Sequence, residues 1–255
     1  MKIGFPNHPR KNIYDEVEWI GENDFNFVDL FLEEDLCRFD KVDPCKINQL
    51  LTRYNLSAVG HTGFYWEYGH QSKELRELSV VMIEKYLDTF AKIKNLNYVT
   101  VHASWPTSMY SDEEGIAWQI ESLKKICSYA KKKGLEIIYE PLDGKRDSVE
   151  NVEKILNGAP DLQFHLDIGH ANLFGKKPQD FIKKFAKQLK HVHLHDNNGF
   201  EDQHLAPGKG NIGWTELIKY LKANYDGTIT LEIFNTNEKD ILTAQKLILG
   251  LWEKS

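Results

Sequence analysis

Imidazole and carboxylate side chains recur at every second position in several short aliphatic segments of this 255-residue chain. His191, His193 and His195 alternate with aliphatic residues in one segment, and His165 and Asp167 do so in another. Because the side chains of a β-strand point alternately to opposite faces, one face of each segment would carry these polar groups. A buried carboxylate costs several kcal/mol unless it is paired, protonated or bound to metal. The shared pattern therefore predicts a common cation between the polar faces of neighbouring strands.

Nine histidines and acidic residues fall at the carboxyl end of a predicted strand or in the loop that follows it. Those at or near strand ends are His61, His102, Glu140, Asp167, His193 and Glu232. Those in the following loops are His170, Asp202 and His204. Mixed imidazole and carboxylate ligands suit Zn, Mn, Co or Fe(II) better than Ca or Mg. We therefore expect these nine side chains to bind divalent metal, with Glu140, Asp167, His193 and Glu232 as the central set.

The segments that carry these residues alternate with segments of helical periodicity along the whole chain. The predicted strands are Lys2–Phe5, Phe25–Leu32, Ser57–Gly63, Tyr98–Ser104, Leu135–Leu142, Leu162–Asp167, His191–Asp196 and Thr228–Phe234. The helical segments include Leu75–Lys94, Glu114–Lys133, Ser148–Leu156, Gln179–Leu189, Thr215–Asn224 and Lys239–Trp252. This alternation predicts a parallel sheet, and eight repeats favour an α/β fold of the closed (β/α)8 TIM-barrel type in one domain, residues 1–255. The carboxyl ends of the strands would then form the active-site face.

Local signals at the ends of the helices agree with this division. Asp43 followed by Pro44 predicts the start of the second helix, as an N-cap and a first helical residue. Gly134 predicts the end of a lysine-rich helix just before a strand. An acidic segment over residues 29–35 closes the second strand, and we interpret it as a rim of unassigned role.

Composition narrows the class of protein. The net charge of −6 weighs against a nucleic-acid partner, although it does not exclude a local basic groove. The three cysteines are odd in number and lack CxxC spacing, which argues against a disulfide framework and a thiolate zinc site. Neither a signal peptide nor an apolar run long enough to span a membrane is evident. We expect a cytoplasmic protein without a membrane partner.

The motifs around these residues resemble the xylose isomerase-like superfamily of TIM barrels. That group includes sugar and sugar-phosphate isomerases and epimerases, and abasic-site nucleases of the endonuclease IV type. The resemblance covers nearly the whole chain and is strongest in five segments. They are YEPLD at 139–143, LDIGHANLFG at 166–175, HVHLHDN at 191–197, DQHLAPGKGNIGW at 202–214 and LEIF at 231–234.

The resemblance implies two alternative sites. Glu140, Asp167, His193 and Glu232 match the one-metal site of the ketose epimerases, in which the two glutamates also shuttle protons. The other five predicted ligands match the positions that give the nuclease branch three metals, so one to three ions per chain are implied. Two departures weaken the nuclease assignment. Lys209 stands where the family more commonly has an acid between two glycines, and His195 and Asn197 replace residues that the nuclease branch prefers.

Under the first hypothesis the protein is a sugar or sugar-phosphate isomerase or epimerase. Metal would lower the cost of an enediolate while Glu140 and Glu232 remove and return a proton. Histidines that do not bind the metal would orient hydroxyl groups, and aromatic side chains would cover the faces of the sugar. The predicted substrate contacts are Phe64, Tyr65, Trp66, Trp105, His195 and Lys209.

Two other hypotheses stay open. In the second, a multi-metal cluster hydrolyses a phosphoester of DNA, and basic loop residues contact phosphates. Those basic residues are Arg10, Lys11, Lys145 and Arg146. In the third, the chain is a non-catalytic sugar or metal binder, although both glutamates needed for proton transfer are present. A homo-oligomer is compatible with every hypothesis, since barrels of this kind often dimerise.

Overall fold

Eight parallel strands form a closed barrel in which each strand pairs with the next in sequence and the last pairs with the first. The computed structural model describes residues 1–234 and 236–255. In chain order, the strands are β1 Lys2–Pro6, β2 Phe27–Leu32, β3 Ser57–Thr62, β4 Leu96–His102, β5 Glu136–Glu140, β6 Gln163–Asp167, β7 Leu189–Leu194 and β8 Thr228–Leu231. This architecture confirms the predicted (β/α)8 barrel.

A helix follows each strand and packs on the outside of the barrel. The helices are α1 Ile13–Glu22, α2 Pro44–Arg53, α3 Lys73–Phe90, α4 Asp112–Lys132, α5 Val149–Gly158, α6 Pro178–Phe185, α7 Trp214–Asn224 and α8 Glu238–Lys254. A short 3₁₀ segment, His170–Gly175, precedes α6. In the part of the chain that the structure describes, none of the helices is long and apolar enough to cross a membrane.

Capping residues set the ends of several helices. The Asp43 side chain accepts a hydrogen bond from the Cys45 amide at the start of α2, as the Asp-Pro sequence predicts. Ser111 and Glu114 form a reciprocal capping box at the start of α4. At the other end of α4, Gly134 adopts a left-handed φ of 76°, which a side chain would disfavour.

The strand bounds differ from the predicted ones by a few residues. β7 is wrongly predicted to begin at His191, since it begins at Leu189 and ends at Leu194. β8 is wrongly predicted to extend to Phe234, since it ends at Leu231 and leaves Glu232 just beyond it. Some predicted strands are too long because aliphatic residues continue past the last hydrogen bond of the ladder. These residues belong to loops over the barrel, which are also buried.

The interior of the barrel is polar where the sequence pattern predicts it. Outward positions such as Val192 and Leu194 are fully buried against the helices. The inward positions between and beside them, His191, His193 and His195, are also fully buried. The desolvation cost of these imidazoles must therefore be met by partners inside the barrel.

Candidate metal centre at the barrel mouth

Four of the predicted ligands converge at the carboxyl end of the barrel: Glu140, Asp167, His193 and Glu232. One side-chain ligand atom from each lies within 4.8 Å of the others. Strand register explains part of this convergence, because Asp167 at the end of β6 lies opposite His193 on β7. The Nδ1 atom of His193 is 3.1 Å from a carboxylate oxygen of Glu232, 3.7 Å from one of Glu140 and 3.8 Å from one of Asp167. We call this set the central group.

The central group has the unsatisfied atoms that a metal ion would need. Each of its residues presents one buried atom without a hydrogen-bond partner among the described residues. These atoms are Glu140 Oε2, Asp167 Oδ2, His193 Nδ1 and Glu232 Oε2. Buried polar atoms are nearly always paired in native proteins, so unpartnered atoms on four neighbouring residues are compatible with a bound ligand. Three carboxylates and one imidazole fit a divalent ion of the Mn, Zn, Co or Fe(II) type.

Charge compensation inside the protein keeps Glu140 and Asp167 ionised. Burial alone raises the pKa of Glu140, but the positive charge of His193 and the contact with His61 outweigh it and lower the pKa to about 2. Burial likewise opposes ionisation of Asp167, and His170 and His195 hold its pKa well below the usual range. The deprotonated state of both carboxylates is the state that binds a metal ion.

A second group lies beside the central one and contains His170, His195, Asp202 and His204. Asp202 connects its members, with Oδ2 3.0 Å from His204 Nε2 and 3.3 Å from His170 Nε2. Burial lowers the pKa of His204, but the charges of Glu232 and Asp202 raise it to about 9. The three predicted loop ligands are therefore close together. Ion pairs of His170 and His204 with Asp202 account for these contacts without a metal ion.

His61 and His102 border the central group on its other side. Their Nε2 atoms lie 3.4 Å and 3.3 Å from Glu140 Oε2. His102 lies opposite Glu140 in the ladder between β4 and β5, which sets this approach. Burial dominates the environment of His102 and lowers its pKa to about 3, so this ring is neutral. The ring of Phe31 stacks on His61 with centroids 3.9 Å apart, which fixes the orientation of that imidazole.

A cleft of about 520 Å³ opens above the central group, the second group and the pair His61 and His102. Seven of the nine predicted ligands line it, namely His61, His102, Glu140, His170, Asp202, His204 and Glu232. Asp167 and His193 lie below the lining as part of the floor and are almost completely buried. The volume of the cleft falls within the range of roughly 300–1,000 Å³ that is usual for small-molecule sites.

The predicted substrate contacts are dispersed. Phe64 lines the cleft and is 62% exposed. His195 is completely buried, with Nε2 2.9 Å from Asp167 Oδ1, so it is placed beside a predicted ligand rather than at the cleft surface. Trp66 packs against Tyr65 and Tyr86 instead of lining the cleft.

Trp105 and Lys209 also lie outside the cleft lining. The indole of Trp105 donates a hydrogen bond to Asp147, a buried carboxyl outside the predicted site. Burial raises the pKa of Asp147 to about 7, and the hydrogen bond from Trp105 only partly opposes this. Lys209 is exposed in the loop after β7. Contacts of these two residues with a substrate stay predictions.

Three residues that sequence reasoning did not select belong to the surroundings of the site. Asp29 was interpreted as part of an acidic rim, and this interpretation is wrong, because the side chain is completely buried inside the barrel. Its position between aliphatic residues of β2 is the signal that could have identified it. Glu33 and His8 line the cleft, and an oxygen of Glu33 lies 3.9 Å from His61 Nδ1. Burial raises the pKa of Glu33, assisted by the nearby Glu232 and Glu140.

The loop after β7 contains a ring of backbone amides that already holds an anion. The Asp196 carboxylate accepts hydrogen bonds from the amides of Asn197, Gly208 and Ile212 and from the indole of Trp214. In many TIM barrels the loops after the seventh and eighth strands bind phosphate. Here the Asp196 side chain occupies four of the donors in the loop after β7.

The charge of the cleft is also unfavourable to phosphate. Among the described residues that line it, five are acidic and none is lysine or arginine. The basic residues considered for phosphate contacts lie elsewhere. Arg146 donates to the carbonyl oxygens of Pro106 and Tyr110 and pairs with Asp112 at 3.0 Å, and Lys11 pairs with Glu16 at 3.2 Å.

Comparison with known proteins agrees with this architecture. A profile described as xylose isomerase-like TIM barrel matches residues 17–250. The uncharacterized protein MJ1311 of Methanocaldococcus jannaschii is 28% identical over 214 residues, which cover 78% of this chain and 71% of that protein. Fructoselysine 3-epimerase of Escherichia coli O157:H7 is 26% identical over 217 residues, which cover 79% of this chain and 78% of the enzyme. The crystal structure of a D-tagatose 3-epimerase-like protein matches with a TM-score of 0.88 at 25% identity, over 100% of this chain and 98% of that one.

Proposed function

Because the chain belongs to the xylose isomerase-like TIM barrel family, we propose that it is a divalent-metal-dependent sugar isomerase or epimerase. The observation that carries this proposal is the central group, in which one ligand atom of each residue lies within 4.8 Å of the others and each residue has a buried atom without a hydrogen-bond partner among the described residues. The similarity to fructoselysine 3-epimerase and to the D-tagatose 3-epimerase-like structure supports the type of reaction.

Glu140, Asp167, His193 and Glu232 would hold the metal. A divalent cation at this position supplies positive charge that stabilises an oxyanion developing on the substrate. Glu140 ends β5 and Glu232 follows β8, and both approach the same ring nitrogen of His193 at the floor of the cleft. One carboxylate would remove a proton from a carbon next to the sugar carbonyl, and the other would return a proton from a second direction. This exchange inverts a carbon centre or moves the carbonyl group.

The side walls of the cleft would position the sugar. His61, His102 and His170 present imidazoles toward the cleft and can hydrogen-bond to hydroxyl groups. Phe64 offers an exposed aromatic face at the rim, suited to the apolar face of a sugar ring. We propose a sugar without phosphate as the substrate, because five acidic residues and no lysine or arginine line the described part of the cleft.

A second candidate function rests on one specific observation. The second group and the pair His61 and His102 place all nine predicted ligands around one cleft floor, and such a cluster could hold more than one metal. A multi-metal site would suit hydrolysis of a phosphoester. The absence of lysine and arginine from the described lining makes this the weaker candidate, since phosphate recognition relies on such cations.

The proposal is tested by incubating the metal-loaded protein with ketohexoses and amine-linked ketoses in deuterated water. We expect deuterium at a carbon next to the carbonyl together with an epimer or isomer of the substrate. Glu140→Gln and Glu232→Gln should each abolish the exchange. Exchange that persists in both variants, or hydrolysis of abasic-site DNA without any sugar exchange, would contradict the proposal.

A further inference from the structure

Asp29 is a completely buried carboxylate that lies beneath the central group and is not one of its members. Its Oδ2 atom accepts hydrogen bonds from His193 Nε2 at 2.8 Å, from His191 Nε2 at 3.1 Å and from the hydroxyl of Thr230 at 2.9 Å. Because this buried oxygen accepts from three donors, its position beside Nε2 of His193 is well defined.

The contact determines which nitrogen of His193 faces the carboxylates. An ionised carboxylate can only accept, so Nε2 of His193 must carry a proton and donate it to Asp29. The other ring nitrogen, Nδ1, then points toward Glu140, Asp167 and Glu232 and has no hydrogen-bond partner among the described residues. We propose that Asp29 is a positioning residue that holds His193 in the tautomer and orientation required to bind the metal through Nδ1. This inference rests on the metal-dependent function proposed above.

The surroundings of Asp29 hold it in place from below. The Nδ1 atom of His191 forms a hydrogen bond of 2.7 Å with the hydroxyl of Thr228, and its Nε2 atom faces Asp29. Thr230 lies opposite His193 in the ladder between β7 and β8, which brings its hydroxyl to the same oxygen of Asp29. Side chains of β7 and β8 therefore fix the carboxylate of Asp29, which lies on β2, in the absence of metal.

Aromatic packing restricts the His193 ring from its sides. The ring of His61 stacks on it with centroids 5.4 Å apart, and His165 approaches edge-on at 4.1 Å. A ring flip would move Nδ1 away from the central group and separate Nε2 from Asp29. Carboxylate partners of this kind orient metal-binding histidines and increase the basicity of the ligand nitrogen, and their loss typically costs 10- to 100-fold in metal affinity.

The first test measures Co²⁺ binding by competition with a chromophoric chelator, together with the visible absorption spectrum of the bound ion. We expect Asp29→Asn to weaken Co²⁺ binding roughly 10- to 100-fold and to alter the spectrum. Asp24→Asn is the matched control, because it makes the same change at an exposed position at the opposite, amino end of the barrel. Its Co²⁺ affinity should stay within about twofold of the original protein, the range expected for an uncoupled site.

The two proposals fail in different ways. If the original protein binds no divalent metal, the proposed function itself is wrong. If it binds Co²⁺ and Asp29→Asn binds the ion equally well with an unchanged spectrum, only the positioning role is wrong. A general packing role for Asp29 would lower the thermal stability of the metal-free variant but leave its metal affinity unchanged.

Two further measurements test the inference, and the second does not depend on the folding of Asp29→Asn. In a His193→Gln background, Asp29→Asn should cause no additional loss of Co²⁺ affinity, because its effect acts through the imidazole. In the original protein labelled with ¹⁵N at histidine, Zn²⁺ should shift the Nδ1 resonance of His193 while the proton stays on Nε2. A metal-induced shift of Nε2 instead would overturn the proposal.

Discussion

The two ends of the barrel each carry a cavity, and the two cavities have different walls. The cavity at the amino ends of the strands measures about 840 Å³ and is lined by groups such as Asn26, Asn97 and Tyr98. The cleft at the carboxyl ends is smaller, about 520 Å³, but its described lining includes five histidines and five carboxylates. Size therefore does not identify the site, whereas convergence of ionisable side chains on a shared volume does.

The difference extends to hydrogen bonding. At the amino end, Asn26 accepts a hydrogen bond from the Ile3 amide and so contributes to holding β1 beside β2. At the carboxyl end, each member of the central group keeps an unpartnered atom. We therefore expect exposed residues of the cavity at the amino end to tolerate substitution. Replacement of single atoms in the central group should impair function.

The largest effect is expected at the two glutamates of the central group. Glu140→Gln and Glu232→Gln remove the proposed proton-transfer groups and should each lower kcat/KM by about 10³-fold or more, equivalent to about 4 kcal/mol of transition-state stabilisation. Steady-state kinetics with the identified sugar measures this loss. Asn97→Ala, at the exposed edge of the other cavity, is the control and should leave the rate unchanged. Equal losses in all three variants would remove the distinction between the two ends.

Metal removal is expected to have the next largest effect. Without a cation, three carboxylates of the central group share one buried volume, and binding free energy of about 3–4 kcal/mol is lost for an ion supplied at 100 to 1,000 times its Kd. For a chain of this length, chelation should lower Tm by about 5–15 °C. Calorimetry with and without chelator checks the shift, and Glu232→Gln should show a smaller one. A chelator that leaves Tm unchanged would argue against a bound ion.

Asp147 provides a pH test that is separate from catalysis. Its pKa in the folded protein, about 7, lies above that of an ordinary aspartate because burial disfavours the charged form. Its contribution to stability is therefore fully present below pH 4 and is lost as pH rises toward 7. The stability of the original protein should fall relative to Asp147→Asn by up to about 1.4 kcal/mol per pH unit in that window.

Urea unfolding of both proteins at several pH values measures this difference. The two stability curves should diverge between pH 4 and pH 7 and run parallel above pH 8. Curves that stay parallel throughout would show that Asp147 is already ionised in the folded protein at low pH.

His204→Ala should have the smallest effect among the site variants. If one metal in the central group is sufficient, His204 serves only to hold Asp202, and kcat/KM should fall less than about tenfold, or about 1.4 kcal/mol. A loss near 10³-fold would support the multi-metal candidate instead. Kinetics and metal content measured on the same preparation separate these outcomes.

The alternation of polar and aliphatic residues was sufficient to predict the barrel and to orient the strand residues, because period two maps directly onto the inner and outer faces. It identified inward groups such as His193 and Asp167 without any tertiary information. Asp29 was misassigned because the acidic residues that follow β2 obscured its place inside the strand.

Loop residues were less predictable, for a physical reason. Trp105 and Trp66 have large aromatic surfaces that pack within the nearest available cavity, and only the folded loops determine which cavity that is. Similarly, the partners of Asp196 lie up to 18 residues away in sequence and are brought together only by the loop conformation. Strand periodicity carries no information about such contacts.

The most direct test of the account is the position of bound metal in crystals of the protein grown with Mn²⁺ or Zn²⁺, located by anomalous diffraction. We expect a peak within about 2.0–2.3 Å of carboxylate oxygens from Glu140, Asp167 and Glu232 and of Nδ1 of His193. A crystal in which these four side chains enclose no anomalous scatterer, while metal binds elsewhere or not at all, would contradict it.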